Sequence, residues 1–227
     1  MRIGLRPSGE AALQERFAAR ERLVGRGGAE ALPAEVAAQG ITRVLDQGYT
    51  NNSQDFAALV LSIKKSDADI LATYMTLEPD VGIFARQLRQ LGVTIPWVGS
   101  PSIIAVTSLK LAAESLYGTY AITDFTTEAN DMTRGFMKKY REKYGVNPDT
   151  FASWSYDATQ ILALAIRNAG STQPEAVRAA ILASKGYKGL EGTYESDQNG
   201  YGLHGHRIVK NDGGKSGSVK PAAFPVA

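Results

Sequence analysis

The chain contains no cysteine. Disulfides, thiolate nucleophiles and zinc or iron–sulfur sites built on sulfur are therefore excluded. The compartment stays open, because a cysteine-free chain suits an oxidising space as well as the cytosol. Histidine is nearly absent too, with His204 and His206 the whole supply. Two residues apart on a strand, they would face one side. No carboxylate or third histidine stands close by in the sequence, so no metal is expected and a solvated strand face is the plain reading. No apolar run approaches the ~20 residues of a membrane span. The opening "MRIGLRPSGE" lacks the apolar stretch of a secretory signal, so the chain as written carries no export address and would stay cytoplasmic. Charge of one sign is also missing: 25 basic residues against 23 acidic leave +2. The densest basic group, Lys138, Lys139, Arg141 and Lys143, alternates with core positions of one helix. Nucleic acid is not an expected partner, since it needs clustered Lys and Arg.

Catalytic motifs are missing as well. There is no G-x-S-x-G, no P-loop lysine and no His–Glu zinc helix. Without a histidine placed as general base, an enzyme would depend on carboxylates or a lysine, and nothing pairs them. Gly25, Gly27 and Gly28 imitate a dinucleotide loop, but the third glycine of that pattern would stand where Glu30 is. No catalytic residue and no cofactor follow from the sequence.

What is present is an ordinary globular composition, 44% hydrophobic and 21% charged, in 227 residues that allow one large domain or two small ones. From Ile41 the text becomes regular. "ITRVLDQGY" reads as a strand, and Asn52 or Ser53 can cap a helix with Phe56, Leu59, Val60 and Ile63 on one face. "DILATY" reads as a second strand, Pro79 to Leu91 as a helix, and "TIPWVGS" as a third strand. A helix around Ile103 to Leu116 and the strand "GTYAITDF" follow. This alternation predicts an α/β fold with a parallel sheet covered by helices. Its core is expected to hold Phe56, Leu59, Ile63, Phe84, Leu88 and Trp97.

The second half reads differently. A helix from about Asn130 to Tyr144 precedes a longer one with Phe151, Trp154, Ala158, Ile161, Leu162 and Ile166 on a broad apolar face, stopped at Gly170. Thr172 and Glu175 form the ends of a capping box that opens another helix. Asn199-Gly200 and Asp212-Gly213 mark turns between short strands.

Two strand-to-helix junctions stand out. After "DILATY" the residues Tyr74, Thr76 and Glu78 crowd before Pro79, and in the next unit "VGSPSI" offers Ser100 and Ser102. Either cluster alone reads equally well as a capped turn. Consecutive ones at the carboxyl edge of a parallel sheet point to a ligand site, because helix N-termini there present unpaired N–H groups. Tyr74, Thr76, Glu78, Ser100 and Ser102 are accordingly the candidate ligand-binding residues.

The stretches "SQDFAALVLSIKKSDADILATY", "FARQLRQLGVTIPWVGS", "FMKKYREKYGVNPDTFASWSYDATQILALAIRNAGS" and "YKGLEGTYESDQNGYG" together resemble the leucine/isoleucine/valine-binding family of periplasmic ABC-transporter substrate-binding proteins. The match is collinear from about Gln47 to Lys215. The resemblance implies the type I periplasmic binding protein fold, two α/β lobes joined by crossovers and closing on a ligand, here incomplete and truncated at the N-terminus. It implies a poorly matched segment 1–40, a Rossmann-like C-terminal-type lobe at 41–118, the second portion of the N-terminal-type lobe at 119–200, and a return strand and tail at 201–227. It further implies a non-enzymatic, periplasmic protein that binds a small polar solute, a branched-chain amino acid or related amide or carboxylate, and serves an ABC transporter membrane permease. Thr76, Leu77 and Glu78 fall where the family presents an aromatic to the ligand, and Phe151 falls at an aromatic contact of the other lobe, which adds Phe151 to the candidate site. Pro101, between Ser100 and Ser102, stands where amino acid binders carry an acidic residue, with Glu78 a substitute for it. A ligand-sensing module of a regulator or receptor with the same fold, or an α/β enzyme, are the alternative functions.

Overall fold

The computed structural model describes residues 36–126, 130–197, 202 and 205–213, and the backbone of 219–221. In chain order its elements are α1 (Ala57–Lys65), β1 (Leu71–Thr73), α2 (Glu78–Gln90), β2 (Trp97–Gly99), a 3-10 turn (Pro101–Ile104), α3 (Val106–Ala112), a second 3-10 turn (Ala113–Leu116) and β3 (Tyr120–Thr123). Then come α4 (Asp131–Tyr144), α5 (Thr150–Ala169), α6 (Pro174–Ala183), β4 (Tyr187–Lys188), β5 (Thr193–Tyr194), β6 (Arg207–Asn211) and β7 (Val219–Pro221). They fall into two compact units, one of residues 1–122 with 208–227 and one of residues 123–207.

The first unit is built on a sheet of order β1-β2-β3-β6-β7. β1, β2 and β3 run parallel, with Leu71 opposite Trp97 and Val98 opposite Tyr120. β6 and β7 are antiparallel, with Asn211 opposite Val219; the turn expected at Asp212-Gly213 runs on into residues outside the described ones. Pro79 sits in the first turn of α2, where its missing N–H costs no helical bond, and Glu78 and Asp80 place acidic side chains against the positive end of the helix. The apolar stripe of α2 (Val81, Phe84, Ala85, Leu88) meets Phe56 just ahead of α1, Val60 and Ile63 of α1, and Leu71, Trp97 and Ala121 of the sheet in one core. Of the six residues expected there, Leu59 alone is half-buried, packed on the outside of that cluster.

Segment 41–49 forms no strand beyond a bridge at Gly48. Its polar residues stay in water, where Arg43 and Asp46 pair at 2.8 Å across three positions. The helix expected from Ile103 to Leu116 is broken into a short α-helix between two 3-10 turns.

In the second unit the helix boundaries follow local chemistry. Asn130 caps α4 by accepting from the Thr133 N–H at 2.9 Å, and Asp149 caps α5 by accepting from the Ala152 N–H at 3.2 Å. The capping box at Thr172 and Glu175 does not form. Pro174 takes the first helical position, which moves the cap to Gln173 and leaves it without a side-chain bond. α5 has 20 residues, of which only Thr150, Ser153, Asp157 and Ala165 are buried. Trp154, Tyr156 and Leu162 are exposed, and Phe136 and Ile161 are half-buried. The turn expected at Asn199-Gly200 lies outside the described residues.

Candidate functional site

At the carboxyl edge of the parallel strands, β1 runs into the loop Tyr74–Leu77 and β2 into the 3-10 turn. The two segments remain stitched together past the end of the ladder. The Ser100 N–H donates to the Thr73 carbonyl at 3.2 Å. The Ser100 hydroxyl donates to the Met75 carbonyl at 2.5 Å, that of Ser102 to the Thr76 carbonyl at 3.3 Å and that of Ser108 to the Glu78 carbonyl at 3.3 Å. Below them the Trp97 indole N–H donates to Thr73 Oγ1 at 2.9 Å. Gly99 permits this close approach: a Cβ there would stand 2.6 Å from Thr73 Oγ1 and 2.7 Å from the Thr73 carbonyl oxygen.

The structure thus brings Tyr74, Thr76, Glu78, Ser100 and Ser102 to one sheet edge of the first unit. Tyr74 is 42% exposed, Thr76 and Glu78 are half-buried, and Ser100 and Ser102 are buried with their hydroxyl protons already given to loop carbonyls. Phe151 belongs to the second unit, in the first turn of α5, where its ring meets Trp154 edge-on at 5.3 Å. Sequence reasoning missed Thr73, Trp97 and Ser108 as supports of the edge. The available signal was the run of serines at 100, 102 and 108 in the unit that follows the loop.

It also missed the polar centre of the second unit. Asp157, fully buried in α5, accepts from the Leu190 N–H at 2.8 Å and the Glu191 N–H at 3.4 Å. Glu191 accepts from Ser153 at 2.6 Å, from Thr150 at 3.4 Å and from the Tyr194 hydroxyl at 2.7 Å. The Thr133 hydroxyl donates to the Leu190 carbonyl at 2.7 Å, which ties α4 to the same segment. Gly189 is required by this arrangement, since a Cβ would fall 2.3 Å from Asp157 Oδ2. A recess of about 500 Å³ opens beside the cluster, walled by Trp154, Ala158, Ile161 and Leu162.

Burial pushes the Glu191 carboxyl above the usual carboxylate range; bonds from Ser153 and Tyr194 pull the other way, and Asp124 and Asp157 raise it further. Burial, then the bond to Glu191, also raises the Tyr194 phenol far above its ordinary value. A carboxyl whose folded pKa exceeds its unfolded one binds its proton more tightly in the folded state. Stability is therefore lost as pH rises from the ordinary carboxylate range through the raised value, and the penalty is complete above it. Glu191→Gln should flatten the loss of stability that sets in as pH rises above the ordinary carboxylate range. Urea titrations across that range check it, and identical slopes for variant and parent would reject the assignment.

Among the described residues no group of three or more His, Asp or Glu could hold a metal ion. His206 pairs through Nδ1 with Asp124, and His204 lies outside the described residues. Among the described residues no helix is long and apolar enough to cross a membrane.

A parallel sheet whose strand-end loops are stitched together at the carboxyl edge places those loops where α/β folds take small ligands. Residues 17–215 match the family model of the periplasmic binding proteins, and the chain belongs to that family. It is 29% identical over 178 residues to an amino acid binding protein of Pseudomonas aeruginosa, covering 78% of this chain and 47% of that protein. It is 25% identical over 176 residues to a Leu/Ile/Val-binding protein homolog of Brucella suis, again covering 78% and 47%. The chain spans about half the length of the curated relatives it matches. Among solved structures, a leucine binding protein of Thermotoga maritima superposes with a TM-score of 0.77 at 24% identity, covering 92% of this chain and 60% of that one. The fold is therefore the type I periplasmic binding protein fold, incomplete relative to such structures.

Proposed function

We propose that this chain is the ligand-receiving part of the substrate-binding component of an ABC importer. It takes a small polar solute, a branched-chain amino acid or a related amide or carboxylate, by closure of two lobes, and serves a membrane permease from the periplasm. The lobes are residues 41–118, of C-terminal type, and 119–200, the second portion of the N-terminal type, with 201–227 as return strand and tail. Tyr74, Thr76 and Glu78, with Ser100 and Ser102 behind them, form the first lobe's face to the ligand, and Phe151 contributes from the other. The observation that carries this reading is the pinned, outward-facing loop Tyr74–Glu78 at the carboxyl edge, in a chain matched by the family model over residues 17–215.

Pro101 stands in the turn where family members that bind amino acids carry an acid, which leaves Glu78 to meet a ligand ammonium. A desolvated zwitterion with one charge unpaired costs several kcal/mol, and each 1.4 kcal/mol is tenfold in affinity. Over the part of the fold it spans, the chain is expected to bind free leucine only at millimolar strength. Titration of the ¹⁵N-labelled chain with leucine, isobutyramide and isobutyrate tests both points. Shift changes confined to residues 74–78, 100–102 and the start of α5 at Phe151 are the expected result, and Glu78→Gln should weaken leucine but not isobutyrate. Changes spread elsewhere, or none with any of the three, would remove the importer reading. A micromolar dissociation constant for leucine would show that these residues already build a complete site.

A further inference from the structure

The loop that follows β1 poses a bonding problem that the serines solve. Buried carbonyls must find donors. In a parallel ladder the neighbouring strand would supply them from its own backbone. Here the neighbour cannot do so beyond Ser100. Pro101 has no N–H, and the chain turns at once into a 3-10 turn in which the Ile103 N–H donates inward to the Ser100 carbonyl at 3.1 Å. The carbonyls of Met75 and Thr76, in the loop, and of Glu78, in the first turn of α2, all lie beside this turn. The hydroxyls of Ser100, Ser102 and Ser108 reach them in the same order, all directed from the β2–α3 segment onto the β1–α2 loop and the start of α2. Each of the three serines is at least 96% buried.

We infer that Ser100, Ser102 and Ser108 are positioning residues. They extend the strand pairing by side chains, fix the loop that carries Tyr74, Thr76 and Glu78, and set ligand affinity through loop order rather than by touching the ligand. This rests on the importer reading for the identity of the ligand, but not for the order of the loop. Ser108 is fully buried behind the Glu78 carbonyl, so an effect of its hydroxyl on binding must pass through the backbone.

The test compares parent, Ser102→Ala/Ser108→Ala and the conservative Ser102→Thr by ¹⁵N relaxation and by leucine titration. In the parent the amides of residues 75–78 should show order parameters of about 0.85, and in the double variant they should fall below about 0.6, with α1 and α2 unchanged. The leucine dissociation constant should rise about two- to tenfold for each hydroxyl lost. Ser102→Thr keeps the hydroxyl and should restore both. If the double variant does not fold, Ser102→Ala against Ser102→Thr makes the same comparison. A loop as ordered in the double variant as in the parent overturns the inference, as does a loosened loop with unaltered leucine affinity. If the parent shows no response to leucine, the importer reading fails on its own, and the order parameters alone decide the role of the serines.

Discussion

Asp157→Ala should destabilise the second unit by about 1–3 kcal/mol for each buried donor it orphans, because a desolvated N–H without a partner costs that much. Two such donors, the N–H groups of Leu190 and Glu191, depend on this carboxylate. Alanine also leaves a hole beside Gly189 and the Tyr194 ring, which both lie against the carboxylate or its neighbours. The effect can be read locally, since the chain has 2 tryptophans, Trp97 in the first unit and Trp154 in the second. In a Trp97→Phe background, Trp154 fluorescence should report a large drop in urea midpoint for Asp157→Ala. Asp157→Asn, which keeps one acceptor for the Leu190 N–H, should lose about half as much. A midpoint unmoved by Asp157→Ala would mean that the Leu190–Glu191 turn is held by something else. Gly189→Ala offers a second approach to the same contact, since the added methyl would displace the carboxylate.

How much of this was legible in the sequence depended on whether the signal was local. The α2 stripe, the proline at its start and the Gly170 stop of α5 are set within one or two helical turns, and the structure has them where the spacing puts them. Segment 41–49 reads as a strand from its composition, but a strand needs a partner, and among the described residues the segment makes no more than a single bridge at Gly48. The edge cluster was legible as composition: Tyr74, Thr76, Glu78, Ser100 and Ser102 do share one sheet edge. Which way the serines point was not, because their acceptors lie about 25 residues away in sequence (Ser100 to Met75). Asp157 read as one polar position in an apolar helix. Only the fold reveals the backbone it serves, 33 residues further on. The broad apolar face of α5 was also visible in the spacing, and in the structure Trp154 and Leu162 stand exposed on it.

Phe84→Ala should carry the largest single cost in the first unit. The ring is 1% exposed and sits between Phe56 and Trp97, edge-on to both, with centroids 5.6 and 5.3 Å away. Truncating a phenylalanine in such a position costs about 3–5 kcal/mol, since the cavity cannot be filled without moving its neighbours. Neither neighbour is free to move. Phe56 is wedged by Tyr49 at 5.3 Å, and its N–H is held by the Gln87 side chain at 2.6 Å. Trp97 is anchored by its indole bond to Thr73, in β1. The void should therefore persist, and the loss should lie toward the upper end. Against a typical total of 5–15 kcal/mol that is a third of the stability or more, and at about 2–4 °C per kcal/mol the melting temperature should fall by roughly 10 °C. Phe84→Leu fills most of the volume and should lose less than half as much. Phe84 lies less than two turns of α2 beyond the pinned loop, so the wound should also reach the candidate site. The amides of residues 75–78 should lose order in Phe84→Ala while α4 to α6 keep theirs. Calorimetry and ¹⁵N relaxation on the one variant measure both effects. A melting temperature within 2 °C of the parent, less than about 1 kcal/mol on the same scale, would show that the stripe of α2 does not carry the core.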